Sequence, residues 1–343
     1  VRLFFPCFLL LLFLTLSFAG LAAVPPAATE GPGLIEFPIT THPAHQRRPA
    51  IYGNIVVWMD ARNDKSDIYG YDLSTQELIT SMVNSFSQKA PAIHGDIVVW
   101  TEYHTDTGID IHGYNLATHE QLTVTTGQGF EYSPAIYDGV VVWHEYRNGN
   151  YNIYGYNLNT QESLTITEHP ADQVNPAIYG DMVVWEDDRN YNSDIYGCDL
   201  STGELITLAP SLTYQWWPAI HGNVVIWYES RNRNHDIYGY NLATQERITI
   251  TTHLAPQGYP AIHGPVAVWE DRRHGNENSD IYGGFVYGGE RIAITAAPGN
   301  QWFPAIYGDV VVWEDYRHGN ADIYAARLPY RHFYLPLITN LSQ

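Results

Sequence analysis

Cysteine is nearly absent from this chain: two residues in 343, Cys7 in an apolar leader and Cys198 far downstream. With the leader removed one thiol remains, which excludes an internal disulfide and any multi-thiolate metal centre. Cations are scarce too. Seventeen Lys and Arg stand against 37 Asp and Glu, a formal charge of −20. A field of that sign repels phosphate backbones, so nucleic acid is excluded as a partner. The common catalytic signatures are also missing: there is no Gly-x-Ser-x-Gly elbow, phosphate-cradling glycine loop or Cys-x-x-Cys, and His144-Glu145 lacks the second histidine of a zinc-peptidase helix. No amphipathic helical period is visible, and no apolar run after Phe18 is long enough to cross a bilayer.

At the start of the chain, Arg2 precedes an apolar run from Leu3 to Phe18 and a small-residue exit, Ala19 to Ala23. That order reads as a signal peptide over residues 1–23, with an uncleaved anchor as the alternative. The expected placement is extracytoplasmic: secreted, periplasmic or at the cell surface. A linker follows over 24–37.

Abundant instead are Tyr (26), Trp (10) and Gly (28), and they recur with a period. Pro-Ala-Ile begins at Pro49, Pro91, Pro134, Pro176, Pro218, Pro260 and Pro304, and a tryptophan follows nine residues later each time, at Trp58, Trp100, Trp143, Trp185, Trp227, Trp269 and Trp313. Periods of this size mark a propeller or solenoid. Within each unit, turn residues separate four short runs rich in Val, Ile, Tyr and Trp. The first two runs are joined by Gly-Asn, Gly-Asp or Gly-Pro, which suit a type II′ hairpin, or by Asp138-Gly139, which suits type I′. The expected fold is all-β: a seven-bladed propeller of four-stranded antiparallel blades over residues 38–328, followed by a tail over 329–343. The last unit lacks its outer strand, and residues 38–41 match it, so the N-terminal strand is expected to close the ring. A glycine inside the third strand is expected to leave room for a ring of the neighbouring blade.

Gln-x-x-Pro-Ala-Ile-Tyr-Gly-Asp-x-Val-Val-Trp-Glu-Asp-x-Arg-x-Gly-Asn-x-Asp-Ile-Tyr, nearly intact at residues 301–324, resembles the TolB-like propeller repeats of microbial cell-surface and secreted proteins, over roughly 38–328. The resemblance implies a surface or extracellular binding and scaffolding module without catalysis. The first strand lacks the Trp-Ser-Pro-Asp-Gly type motif of TolB itself, so a role in the Tol envelope machinery is not implied.

Candidate sites follow from what repeats and what does not. An acid two residues after each tryptophan, an arginine two further on (His104 in the second unit) and an Asp opening the third strand (Asn152 in the third unit) give Asp60, Arg62 and Asp67; Asp187, Arg189 and Asp194; and Asp315, Arg317 and Asp322. An Arg fork between carboxylates braces a loop. Calcium is the alternative occupant, but an arginine in each loop opposes a cation, and no cofactor or metal ligand is assigned. A Gln three residues before six of the prolines, with Glu131 in the seventh place, is expected to bond backbone between blades. His94, His221 and His263 replace tyrosine in separate blades and are not expected to converge on one metal.

The irregular positions precede the prolines. Arg47 and Arg48 make a basic sector; Trp216, Trp217, Tyr259, Trp302 and Phe303 make an aromatic one, suited to stacking on a glycan or an extended peptide. The expected function is therefore a non-catalytic, monomeric module binding a protein or glycan. The alternatives are a carbohydrate-active enzyme, glycosidase or polysaccharide lyase, and a purely structural surface protein. A symmetry-breaking set of carboxylates in the channel would favour the enzyme.

Overall fold

The computed structural model describes residues 34–329, apart from 105–107, 128 and 232. The expected leader, most of the linker and all but the first residue of the tail lie outside the described residues. The described chain forms 28 strands. They make five separate four-stranded sheets and one eight-stranded sheet, which is two blades joined by a single parallel bridge between Phe130 and Ile109. Seven four-stranded antiparallel blades result, as expected.

Blade 1 runs inner to outer through Gln46–Tyr52, Ile55–Asp60, Asp67–Asp72 and Glu77–Ile79. Blade 2 comprises Ser87–His94, Ile97–His104, Gly108–Asn115 and Glu120–Thr123. The later units repeat the pattern. Blade 7 takes Gln301–Tyr307, Val310–Asp315 and Asp322–Arg327 from the C-terminal side and Glu36–Thr40 from the N-terminal side. That outer strand pairs Glu36 with Ala326 and Pro38 with Tyr324, so the ring closes as the sequence indicated. The strand starts two residues earlier, at Glu36, and the Glu36 carboxylate joins Asp315 on the Arg317 guanidinium.

The second strands are covered on both faces, as blade-on-blade stacking requires. Val56, Val57 and Trp58 have no exposed surface, and neither have Val311, Val312 and Trp313. Each tryptophan ring removes roughly 150–250 Å² from water, about 4–6 kcal/mol of gross burial. Six of the hairpins start on a glycine with φ of 56–60°, and Asp138 and Gly139 both have positive φ, which accords with types II′ and I′ respectively. The glycine of the third strand has a different role from the one expected. A Cβ on Gly113 would stand 2.8 Å from the Val98 carbonyl, and one on Gly239 2.9 Å from that of Val225. The close approach is to the second strand of the same blade, not to a neighbour's ring. Between blades, the repeated glutamine bonds backbone as anticipated: Ile68 N–H donates to Gln88 Oε1 at 2.8 Å, and Ile195 N–H to Gln215 Oε1 at 2.9 Å.

Candidate functional site at the channel mouth

The residue before each proline determines what the channel mouth contains. Arg48, Ala90, Ser133, Asn175, Trp217, Tyr259 and Phe303 all have φ of 48–54°, and at each the register against the second strand slips. These are β-bulges, devices that redirect a side chain out of the pleat. Seven redirected side chains meet over the channel. Four are large and touch one another: Tyr259 lies 4.5 Å from Phe303 and 5.3 Å from Trp217 between ring centres, and the Arg48 guanidinium sits 3.6 Å above Phe303 and 5.2 Å from Trp217. Three are small, Ala90, Ser133 and Asn175. One half of the mouth is thereby filled and the other left open, as a cavity of about 530 Å³ that Arg47, Lys89, Tyr103 and Tyr132 also line. Burial lowers Arg48 from its ordinary value against the pull of Glu314, so this guanidinium is short of water.

Of the residues singled out in the sequence, Arg47, Arg48, Trp217, Tyr259 and Phe303 meet at this cavity. Trp216 and Trp302 do not line it. Trp216 stacks on Tyr214 at 5.5 Å and 9°, and leans on Tyr228; Trp302 packs on Tyr316 at 4.8 Å.

Beneath the bulges lies a ring of side chains that sequence reasoning missed, the residue just after each tryptophan: Met59, Thr101, His144, Glu186, Tyr228, Glu270 and Glu314. It breaks the repeat. Glu186 Oε1 accepts the Trp217 N–H at 2.7 Å and Asn175 Nδ2 at 2.9 Å; Glu314 Oε1 accepts the Arg48 N–H at 2.7 Å. Burial pushes Glu186 up to about 7 despite those two bonds, and Glu314 to about 6 against the pull of Arg48. Glu270 is raised by burial as well, and its Oε2 is buried without a partner. His144, held down to about 4 by burial, accepts the Asn175 N–H on Nδ1 at 3.3 Å. Tyr259 is raised by burial first and then by Glu270. Two carboxyls near neutrality under a cationic and aromatic mouth can take up and return protons.

The other end of the channel is ringed by tilted aromatic side chains. Tyr52, His94, Tyr137, Tyr179, His221, His263 and Tyr307 form an unbroken circle with centres 4.5–4.6 Å apart. His221 and His263 are neighbours in it, and tyrosines separate His94 from both.

The acid and Arg loops lie around the rim of the mouth. Arg62 grips Asp60 through Nε at 2.8 Å and Nη2 at 2.6 Å, Arg189 grips Asp187 at the same distances, and Arg317 grips Asp315 likewise. Each acid also accepts the indole N–H two residues back, as Asp60 does from Trp58 at 3.0 Å, because residues i and i+2 share a strand face. Each guanidinium lies over the third-strand tyrosine, at 4.2 Å for Arg62 on Tyr69 and 4.0 Å for Arg317 on Tyr324. Within each of these loops the fork engages the first acid and not the Asp of the third strand; Arg317 also takes Glu36 of the closing strand. Asp67 is held by Asn63 and Lys65, Asp194 by Asn190 and Asn192, and Asp322 by Asn320 and His318.

Blades 2 and 3 depart from this scheme. In blade 2, His104 replaces the arginine and His112 the tyrosine, and both ring nitrogens face Glu102 Oε1, at 3.5 and 4.0 Å. The argument that arginine opposes a cation does not apply there: Glu102, His104 and His112 bring three ligand atoms within 4.8 Å of one another, a group that could hold a metal ion. Cross-strand pairing was the available signal, since the register sets Glu102 opposite Asp110 and His112 opposite Trp100. In blade 3, Glu131 replaces the inter-blade glutamine. Burial, with Glu145 close by, pushes it up to about 8, and it lines a second cavity of about 680 Å³ together with Glu145, Trp143 and Arg147.

No family model and no characterised protein matches the sequence. Solved structures do. The chain is similar to oligogalacturonate lyase from Vibrio parahaemolyticus, with TM-score 0.70 and 11% identity over 87% of this chain and 95% of that one. It is similar to an oligogalacturonate lyase in complex with manganese, with TM-score 0.68 and 13% identity over 90% and 98%. It is also similar to TolB from Acinetobacter baumannii, with TM-score 0.54 and 16% identity over 74% and 67%. The fold is a TolB-like β-propeller. The expectation that the chain is no enzyme is corrected by these likenesses. It rested on missing catalytic signatures, on carboxylates that recur with the repeat and on a propeller type without catalysis, yet lyases share the shape over almost their whole length. Glu186, Glu270 and Glu314, buried beneath the mouth, also break the repeat. Among the described residues no helix is long and apolar enough to cross a membrane.

Proposed function

We propose that the protein is a carbohydrate-active enzyme that cleaves an acidic oligosaccharide at the channel mouth by lyase-type elimination. The observation that carries this reading is the Arg48 guanidinium, stacked on Phe303 and Trp217 in a mouth of about 530 Å³. A desolvated cation between aromatic faces, in a chain of charge −20, suits a sugar that carries a carboxylate. Arg47 and Lys89 border the same opening and add charge. Trp217, Tyr259 and Phe303 offer faces on which sugar rings stack. Elimination removes the proton beside the sugar carboxylate. The freed electron pair forms the ring double bond, the glycosidic C–O bond breaks, and the leaving oxygen takes up a proton. Neutralising the carboxylate is the role of the cations, and Glu186 or Glu314, titrating near neutrality, exchanges the protons. The likeness to oligogalacturonate lyases supports uronate sugars as the substrate class. The apolar leader supports an extracytoplasmic site of action.

The test is to incubate the full chain with oligogalacturonate and other uronate oligosaccharides and follow the ultraviolet absorbance of the unsaturated product. Turnover is expected, with Glu186→Gln or Arg48→Met lowering it about a hundredfold or more at unchanged circular dichroism. No unsaturated product and no binding on any uronate would refute the reading. A second reading, glycoside hydrolysis by Glu131 and Glu145, is favoured by a protonated and an arginine-paired carboxyl beside one cavity. It would yield saturated ends and be abolished by Glu131→Gln.

A further inference from the structure

In six blades the rim carries the same trio: an acid, an arginine gripping it, and a tyrosine under the guanidinium. Blade 2 alone changes two members of the trio, and both changes are to histidine. The buried acid stays, as Glu102, and Asp110 is buried beside it. The permanent cation that offsets the acid elsewhere is gone. Two carboxylates out of water with no fixed positive charge are costly.

The geometry around the gap is that of a ligand set. Glu102 Oε2 accepts from Trp100 Nε1 at 3.0 Å, Asn84 Nδ2 at 2.7 Å and Gln88 Nε2 at 3.2 Å. The carboxylate is thereby fixed by outer partners, with Oε1 turned to the histidines. His104 Nε2 lies 3.5 Å from that oxygen and 3.7 Å from Asp110 Oδ2. It is buried and makes no hydrogen bond, so an aimed ring nitrogen is left without a partner. One ligand atom each from Glu102, His104 and His112 falls within 4.8 Å of the others. Four ligands about 2.1 Å from a tetrahedral ion stand about 3.4 Å apart. The Glu102–His104 separation already matches this, the Asp110–His104 and Glu102–His112 separations exceed it by about 0.3 and 0.6 Å, and the widest pair of the three would close by up to about 1.4 Å. The Phe86 ring packs on His104, with centres 4.2 Å apart, and restricts water on that side.

We propose that blade 2 binds a divalent transition-metal ion of the zinc class through Glu102 Oε1, His104 Nε2 and His112 Nε2, with Asp110 as the fourth ligand. Two imidazoles with carboxylate oxygens select zinc, cobalt, nickel or manganese over calcium and magnesium, which prefer all-oxygen shells. The ion replaces the arginine charge and ties the second and third strands of the blade at the rim. Tyr103, between two of the ligands in sequence, faces the other way and lines the mouth, so loading the site would fix one wall of that cavity. The proposal stands whether or not the mouth is catalytic.

The test is titration of the chelator-stripped full chain with Zn²⁺ alone, by calorimetry, with Co²⁺ as the absorbance probe. One equivalent is expected to bind, to raise the melting temperature by several degrees, and to give cobalt bands of low-symmetry coordination. The decisive variant is His104→Arg/His112→Tyr, which writes into blade 2 the side chains of the other six. It is expected to fold and to lose at least about a hundredfold in Zn²⁺ affinity. His112→Tyr alone is expected to weaken binding and guards against misfolding of the double variant. No stoichiometric binding by the wild type would overturn the proposal, as would undiminished binding by a folded double variant.

Discussion

Blades 1 and 2 place the same backbone at the same point of the rim and put different chemistry on it. In blade 1 the charge is settled within the loop: Asp60 takes two guanidinium bonds and one indole bond, and Arg62 lies on Tyr69. In blade 2 the indole bond persists, from Trp100 to Glu102, but the cation and the ring beneath it have become two imidazoles. Loss of the arginine alone would strand an acid, and loss of the tyrosine alone would leave the guanidinium without its platform. Both changes fall on side chains that share one acid. A repeat thus works as an internal control, because whatever departs from it in a matched pair points to a local demand that the architecture does not make.

The largest expected effect comes from breaking the blade 1 brace. Arg62→Ala leaves Asp60, which has no exposed surface, with the indole and backbone donors but no cation. Because the guanidinium is partly solvated, the loss is at the lower end for a buried pair, about 2–3 kcal/mol. Urea unfolding of the metal-free protein reads it directly. His104→Ala, at the equivalent place in blade 2, removes no permanent charge and is expected to cost under about 1 kcal/mol in the same measurement. Equal losses would show that the two trios are electrostatically alike, which would remove the contrast.

Blade 3 sharpens the comparison through pH. Glu131 stands where six blades have glutamine. In the folded chain burial first, then Glu145, hold its carboxyl up to about 8, against an ordinary value of 4.5. Between those values the unfolded chain has shed the proton and the folded chain keeps it. The folded state therefore binds more protons, and stability falls as pH rises through that window, then levels above it. Glu131→Gln removes the titration. The variant should be more stable than wild type by about 1–2 kcal/mol above pH 8 and match it near pH 4.5. A parallel pH dependence in the two proteins would contradict this.

The blades were legible because their evidence is periodic. Pro-Ala-Ile, the tryptophan nine residues on and the glycine turns each recur, and the missing last strand was matched by residues near the N-terminus. The mouth was legible in part. The pre-proline residues stood out as irregular, but only the bulge decides which of each pair turns inward, so Trp217 and Phe303 line the cavity whereas Trp216 and Trp302 fold onto the face. The inner column after each tryptophan was missed because Met59, Thr101, His144, Glu186, Tyr228, Glu270 and Glu314 have no residue type common to all seven blades. His112 was missed for another reason. Histidines were compared along one column, and the trio joins two strands whose contact is set by register, not by sequence spacing.

The smallest expected effect concerns the third-strand glycine, again between blades 1 and 2. A Cβ on Gly113 would stand 2.8 Å from the Val98 carbonyl oxygen and 3.2 Å from a Val99 methyl. The first is backbone within a paired strand and cannot swing aside, so the strands must part. Gly113→Ala is expected to cost about 1 kcal/mol, the lower range for overpacking. On Gly70 the same atom meets the Ile79 side chain at 3.3 Å and the Val56 carbonyl at 3.4 Å, distances that small shifts accommodate. Alanine also removes backbone freedom from the unfolded chain, which offsets part of the crowding. Gly70→Ala should therefore lie within about 0.5 kcal/mol of wild type. Ala325 already occupies this position in blade 7, buried without exposed surface, which shows that a methyl fits there in that blade. Thermal unfolding of the two variants side by side measures the difference. If Gly70→Ala proved the more damaging, crowding against the second strand would not be what keeps glycine there.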